Sequence, residues 1–121
     1  MTEHQMKNRF STWLRREKAK GRPLYFLKIH GSNYQRSGVA DYWMVVGGSS
    51  IQIEMKAPGR PCQGTRLQEK ELRDHAKAEG NSFVSNNLGA CKDIVLAFLG
   101  LVGPDKMMQH MGEGRVMEIL A

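Results

Sequence analysis

Asp41-Tyr42-Trp43-Met44-Val45-Val46-Gly47-Gly48-Ser49-Ser50-Ile51-Gln52-Ile53-Glu54-Met55-Lys56 decides how this chain is read. Two runs rich in aromatic and β-branched residues flank Gly47-Gly48-Ser49-Ser50, the composition of two strands joined by a hairpin loop. Strand side chains alternate faces, so Glu54 and Lys56 share one face while Ile51, Ile53 and Met55 share the other. A four-residue loop pairs Val46 with Ile51. That register sets Asp41 opposite Lys56 and diagonal to Glu54, with Cα atoms roughly 7–8 Å apart.

Two carboxylates and an ammonium so placed admit two readings. One is a cross-strand salt bridge on a solvated sheet face. The other is chemical: two carboxylates reaching toward one Mg²⁺, a hard cation that takes oxygen ligands and keeps several waters. Glu-x-Lys is too common a tripeptide to choose between them. The hairpin alone leaves both open.

The rest of the chain narrows the choice. Its 121 residues, 40% of them hydrophobic, suffice for one core and leave little room for two. No apolar run approaches the roughly 20 residues a membrane span requires. The start, Met-Thr-Glu-His-Gln, lacks the charged-then-apolar order of a secretion signal, so a cytoplasmic protein is expected. Cys62 and Cys91 form no metal-binding spacing and are expected as free thiols. A net charge of +6 and a pI near 9.6 favour a polyanionic partner. Arg15, Arg16, Lys18, Lys20 and Arg22 cluster where the first helix ends, and Arg60, Arg66 and Lys70 lie beyond the Glu-x-Lys strand. Solvated, solubilising charge is the alternative for these clusters.

The periodicity predicts a helix over Thr2 to Ala19 with Met6, Phe10, Trp13 and Leu14 on one apolar stripe. Thr2 and Gln5 fit a capping box, and Glu3 complements the helix dipole. Leu24 to His30 reads as a strand, with His30 at its end as a structural residue or a phosphate contact. The polar loop 31–38 carries Tyr34, Gln35 and Arg36, donors suited to phosphate oxygens or a stacked base. A second helix begins at Thr65 and runs to Gly80, where Thr65 and Gln68 again fit a capping box. Ser82 to Asn86 reads as a strand and Ala90 to Leu101 as a helix, giving the order α-β-β-β-α-β-α.

Gly38-Val39-Ala40-Asp41, then Ile53-Glu54-Met55-Lys56-Ala57-Pro58-Gly59, then Thr65-x-x-Gln68 resembles the VRR-NUC (virus-type replication-repair nuclease) family of the PD-(D/E)XK, restriction-endonuclease-like superfamily. The likeness spans roughly Glu3 to Asn87. The family usually has Pro before the aspartate, where this chain has Ala40, a change that removes no ligand. The resemblance implies an α/β fold with a mixed central sheet flanked by helices. It implies that Asp41 and Glu54 bind Mg²⁺ or Mn²⁺ together with the backbone carbonyl of Met55. Lys56 would orient or activate the attacking water, Gln68 would help position the site, and Glu3 would match the family's acidic residue on the first helix. Metal-assisted hydrolysis of a phosphodiester fits those residue types, because a metal and a nearby ammonium stabilise charge developing in an in-line displacement.

Stand-alone members of that family resemble Holliday-junction resolvases and act as dimers on branched DNA, which implies a homodimer and a branched-DNA substrate. Arg15, Arg16, Lys18, Tyr34, Gln35, Arg36, Arg60 and Arg66 are the expected DNA contacts. The Met-rich stretch 104–121 is either a dimer surface or packed within its own chain. A nuclease for nicked, flap or linear DNA and a non-catalytic DNA-binding module are the competing functions; neither membrane nor small-molecule cofactor is expected.

Overall fold

The computed structural model describes residues 1–29 and 38–121. His30, Tyr34, Gln35 and Arg36, expected as a strand end and as phosphate or base contacts, lie outside the described residues. The elements are α1 (Glu3–Ala19), β1 (Leu24–Lys28), β2 (Tyr42–Val46), β3 (Ser49–Met55), α2 (Arg66–Lys77), β4 (Asn81–Ser85), α3 (Leu88–Phe98), α4 (Pro104–Gly112) and β5 (Val116–Ile119). The strands form one mixed sheet in the order β1-β2-β3-β4-β5. β3 and β4 run parallel and the other neighbours antiparallel. Parallel strands need a long crossover, which α2 supplies.

The hairpin differs from its expected register. Val46 pairs with Ser49 and Tyr42 with Ile53, so the turn holds only Gly47 and Gly48. Both have positive φ, +57° and +85°, the backbone of the two-residue hairpin turn whose twist matches its strands. Gly47 is further constrained, because a Cβ there would lie 2.7 Å from the carbonyl oxygen of Phe98. Ser49 and Ser50 therefore belong to β3, and the pairing is shifted by two residues. An even shift keeps every side chain on its face. Continued one step past Tyr42 and Ile53, it sets Asp41 across from Glu54 rather than diagonal to it.

The faces are covered differently. α1 and α3 cover one side, where Met6, Phe10, Leu14, Met44, Ile51, Ile53, Ile94 and Val95 are fully buried. Trp13 is only partly buried, at the margin of that core. α2 covers the other side, where Leu72 packs with Val84, Ala40 and Ile119. Both expected capping boxes form, on Thr2 with Gln5 and on Thr65 with Gln68.

Two sequence expectations need correction toward the C-terminus. α3 begins at Leu88, because the Asn87 side chain accepts a hydrogen bond from the Ala90 amide, and it ends before Gly100, whose φ is +74°. The expected order also stops short by two elements: α4 packs on α3, and β5 adds an edge strand beside β4. Val116 and Ile119 are buried, whereas Met108, Met111, Met117 and Leu120 remain exposed. Among the described residues no helix is long and apolar enough to cross a membrane. Cys62 and Cys91 are both free thiols.

Candidate active site

The C-terminal ends of β3 and β4, the start of β2 and the first turns of α1 and α2 meet at one end of the sheet. Asp41 stands immediately before β2, and its backbone carbonyl accepts from the Ile29 amide at 2.7 Å. Its carboxylate is fixed from two sides. Oδ2 accepts from the Met55 backbone amide at 2.8 Å, and Oδ1 pairs with Lys7 Nζ at 2.9 Å. The residue whose carbonyl is the expected ligand is thus tied to Asp41 through its own N–H.

Glu54 is buried, at 4% exposure. Its Oε2 accepts from Gln68 Nε2 at 2.9 Å and lies 3.4 Å from Lys56 Nζ. Lys56 Nζ donates to Gln68 Oε1 at 2.9 Å, which closes a three-residue ring. Burial raises the Glu54 pKa first, the charge of Asp41 raises it further, and Lys56 and Lys7 only partly offset them. The result is about 7 against an ordinary 4.5. A buried carboxylate facing a second carboxylate resists ionising, and a cation shared between them relieves that resistance.

Gln68 makes both the capping contact and a contact to the candidate site. Its Oε1 accepts from the Thr65 backbone amide at 2.8 Å as well as from Lys56, while its Nε2 holds Glu54. The helix cap and the site contact are therefore one side chain. Glu3 reaches the site indirectly: it pairs with Lys7 at 3.1 Å, and Lys7 pairs with Asp41. Lys7 is the site residue that sequence reasoning missed, although its spacing of four from Glu3 on a helix is a signal for such a pair. Burial would lower the Lys7 pKa, but hydrogen bonds and charges from Asp41 and then Glu3 outweigh burial and hold the ammonium above its usual range.

The expected DNA contacts are scattered. Arg15 and Arg16 are exposed on α1, Arg66 is exposed at the start of α2, and Arg60 is exposed in the loop after β3. Lys18 lies 5.8 Å over the Tyr25 ring. Lys20 and Arg22 are turned onto the buried Glu17, and Lys70 onto Asp74, so these three cations serve local ion pairs.

Among the described residues no group of three or more His, Cys, Asp or Glu side chains could hold a metal ion. The side-chain donor set here is the pair Asp41 and Glu54. That pair fits Mg²⁺, which is commonly held by one or two carboxylates with waters and substrate phosphates filling the remaining positions. No family model, no curated protein and no solved structure matches this chain.

Proposed function

We propose that the chain is a divalent-metal-dependent endonuclease that hydrolyses DNA phosphodiester bonds, with a core of the PD-(D/E)XK type like that of the VRR-NUC family. The observation that carries this reading is the opposition of Asp41 and Glu54 beside a Lys56 held by Gln68. A salt bridge alone needs one carboxylate; here a second is kept beside a buried one whose pKa it helps raise to about 7. The like-charge pair also argues against a purely DNA-binding module, which gains nothing from that repulsion.

Asp41 and Glu54 are the residues that would hold Mg²⁺ or Mn²⁺, and the family resemblance adds the Met55 carbonyl. Bound there, the metal supplies Lewis acidity and neutralises charge on the phosphoryl oxygens. The protein's own groups do the rest. Lys56 Nζ supplies a fixed positive charge near the carboxylates and a donor to orient a water. Gln68 restrains both Lys56 and Glu54 from a helix terminus, so neither must be ordered when substrate arrives. Lys7 neutralises Asp41 from the α1 side and is itself oriented by Glu3.

Branched DNA is the substrate class this reading favours, with a homodimer setting one site against each of two symmetric strands. The test is a panel of labelled four-way junction, flap, nicked and linear duplex DNA, each with Mg²⁺, Mn²⁺ or chelator. Paired symmetric incisions confined to the junction support a resolvase; cutting of flaps, nicks or linear DNA retains the nuclease and replaces its substrate.

A further inference from the structure

On the α1–α3 side of the sheet lies a groove of about 370 Å³ whose lining includes Asn8, Arg9, Trp13, Arg16, Leu88 and Lys92. Three of these are cations, and the lining holds no acidic residue. The carboxylates nearest in sequence are engaged elsewhere: Glu17 with Lys20 and Arg22, and Asp93 with His110 at 2.7 Å. Among the described residues no carboxylate pairs with Arg9, Arg16 or Lys92. Three cations converging without counter-charge repel one another unless an anion joins them.

The aromatic ring in the groove narrows the ligand. Phe10 stacks parallel to Trp13 with ring centroids 6.0 Å apart, and Lys92 Nζ lies 5.8 Å over the same indole. The ring is thus engaged within the protein, where it positions the Lys92 ammonium. A groove for unstacked bases would offer that ring as a platform; this one offers charge.

Both helices that wall the groove adjoin elements that carry the site. Asn8 in its lining accepts from Lys28 Nζ at 3.3 Å, a fourth cation at the end of β1, and Asn8 follows Lys7, which holds Asp41. Leu88 across the groove starts α3, just past the end of β4, where the Ser85 carbonyl accepts from the Lys56 amide at 2.8 Å.

We infer that the α1–α3 groove, through Arg9, Arg16 and Lys92, binds the phosphate backbone of a DNA segment continuous with the strand at Asp41 and Glu54. The inference rests on the nuclease reading for its ligand but not for its test. Binding of fluorescent junction and linear duplex DNA is measured by anisotropy in chelator across a salt series. Wild type is compared with Arg9→Gln, Lys92→Gln, the double variant, and Lys106→Gln as a charge-matched control on α4. Groove variants should bind several-fold more weakly on both DNAs and lower the log–log salt slope by about 1 per cation removed. Lys106→Gln should bind as wild type does. An unchanged slope in the double variant, or an equal loss in Lys106→Gln, overturns the groove. Metal-dependent cutting assayed in parallel keeps the two claims apart: groove-dependent binding by a protein that cuts nothing retains the groove and sinks the nuclease, and cutting by a protein whose groove variants bind normally does the reverse.

Discussion

Gln68 Nε2 donates to Glu54 Oε2 at 2.9 Å while the oxygen of the same amide accepts from the Thr65 backbone. A helix cap is thereby welded to a buried carboxylate, and the two roles can be separated by substitution. Glutamate also completes a capping box. Gln68→Glu should therefore keep α2 while setting a third carboxylate against Glu54, and lower cleavage by about 10²-fold through misplaced groups. Gln68→Ala should also lose the Thr65 amide's partner, about 1 kcal/mol in a urea melt, while the Thr65 hydroxyl still caps α2. Full activity in Gln68→Glu would reduce Gln68 to a cap.

The elevated pKa of Glu54 sets a pH dependence of stability. Between 4.5 and about 7 the folded chain retains a proton that the unfolded chain has released. Stability from this group therefore falls as pH rises through that window, and the loss is complete above it. The full effect is up to about 3 kcal/mol. Glu54→Gln has no such proton to release. Its urea midpoint should exceed that of wild type at pH 8 and approach it at pH 5; a constant difference would show that Glu54 ionises freely.

The same repulsion makes metal binding visible without turnover. A cation held by both carboxylates stabilises the folded chain by about 2.7 kcal/mol at a hundredfold excess over its Kd. Mg²⁺ should raise the melting temperature of wild type, more at pH 8 than at pH 6 where Glu54 is protonated, and should leave Asp41→Asn and Glu54→Gln unmoved. Equal shifts in all three proteins would place the ion elsewhere.

Gly38 carries the segment into Asp41 past the start of α2. Its φ is +86°, and a Cβ would lie 2.7 Å from the Leu67 backbone, next to Gln68. The clash is with helix backbone, which cannot swing aside as a flexible side chain would. Gly38→Ala should cost about 1–3 kcal/mol in denaturant unfolding. Gly21→Ala, with φ of +87° and open space around it, should cost less; equal costs would show that backbone conformation alone decides.

What the sequence disclosed came from periods and caps. Alternation placed Glu54 on one face and Ile51, Ile53 and Met55 on the other, and both Thr-x-x-Gln boxes marked true helix starts. The hairpin register escaped because a Gly-Gly-Ser-Ser stretch fits either a two- or a four-residue connection, and only backbone φ at Gly47 and Gly48 distinguishes them. The shared face of Asp41, Glu54 and Lys56 is unaffected, because a shift of two preserves faces. β5 escaped because Val116-Met117-Glu118-Ile119 is four residues long and buried only at its ends. Lys7 escaped because its role depends on Asp41, far along the chain, which no local pattern connects to α1.

Whether Asp41, Glu54 and Lys56 cut DNA with a metal is the central question. The most direct measurement incubates the full chain and its Lys56→Ala variant with labelled four-way junction in Mg²⁺, then in chelator, then with Mg²⁺ restored in excess. Incision by wild type that stops in chelator, returns with Mg²⁺ and is absent from Lys56→Ala is the expected result. Tight binding with no incision in Mg²⁺ or Mn²⁺, or incision that Lys56→Ala retains in full, would contradict it.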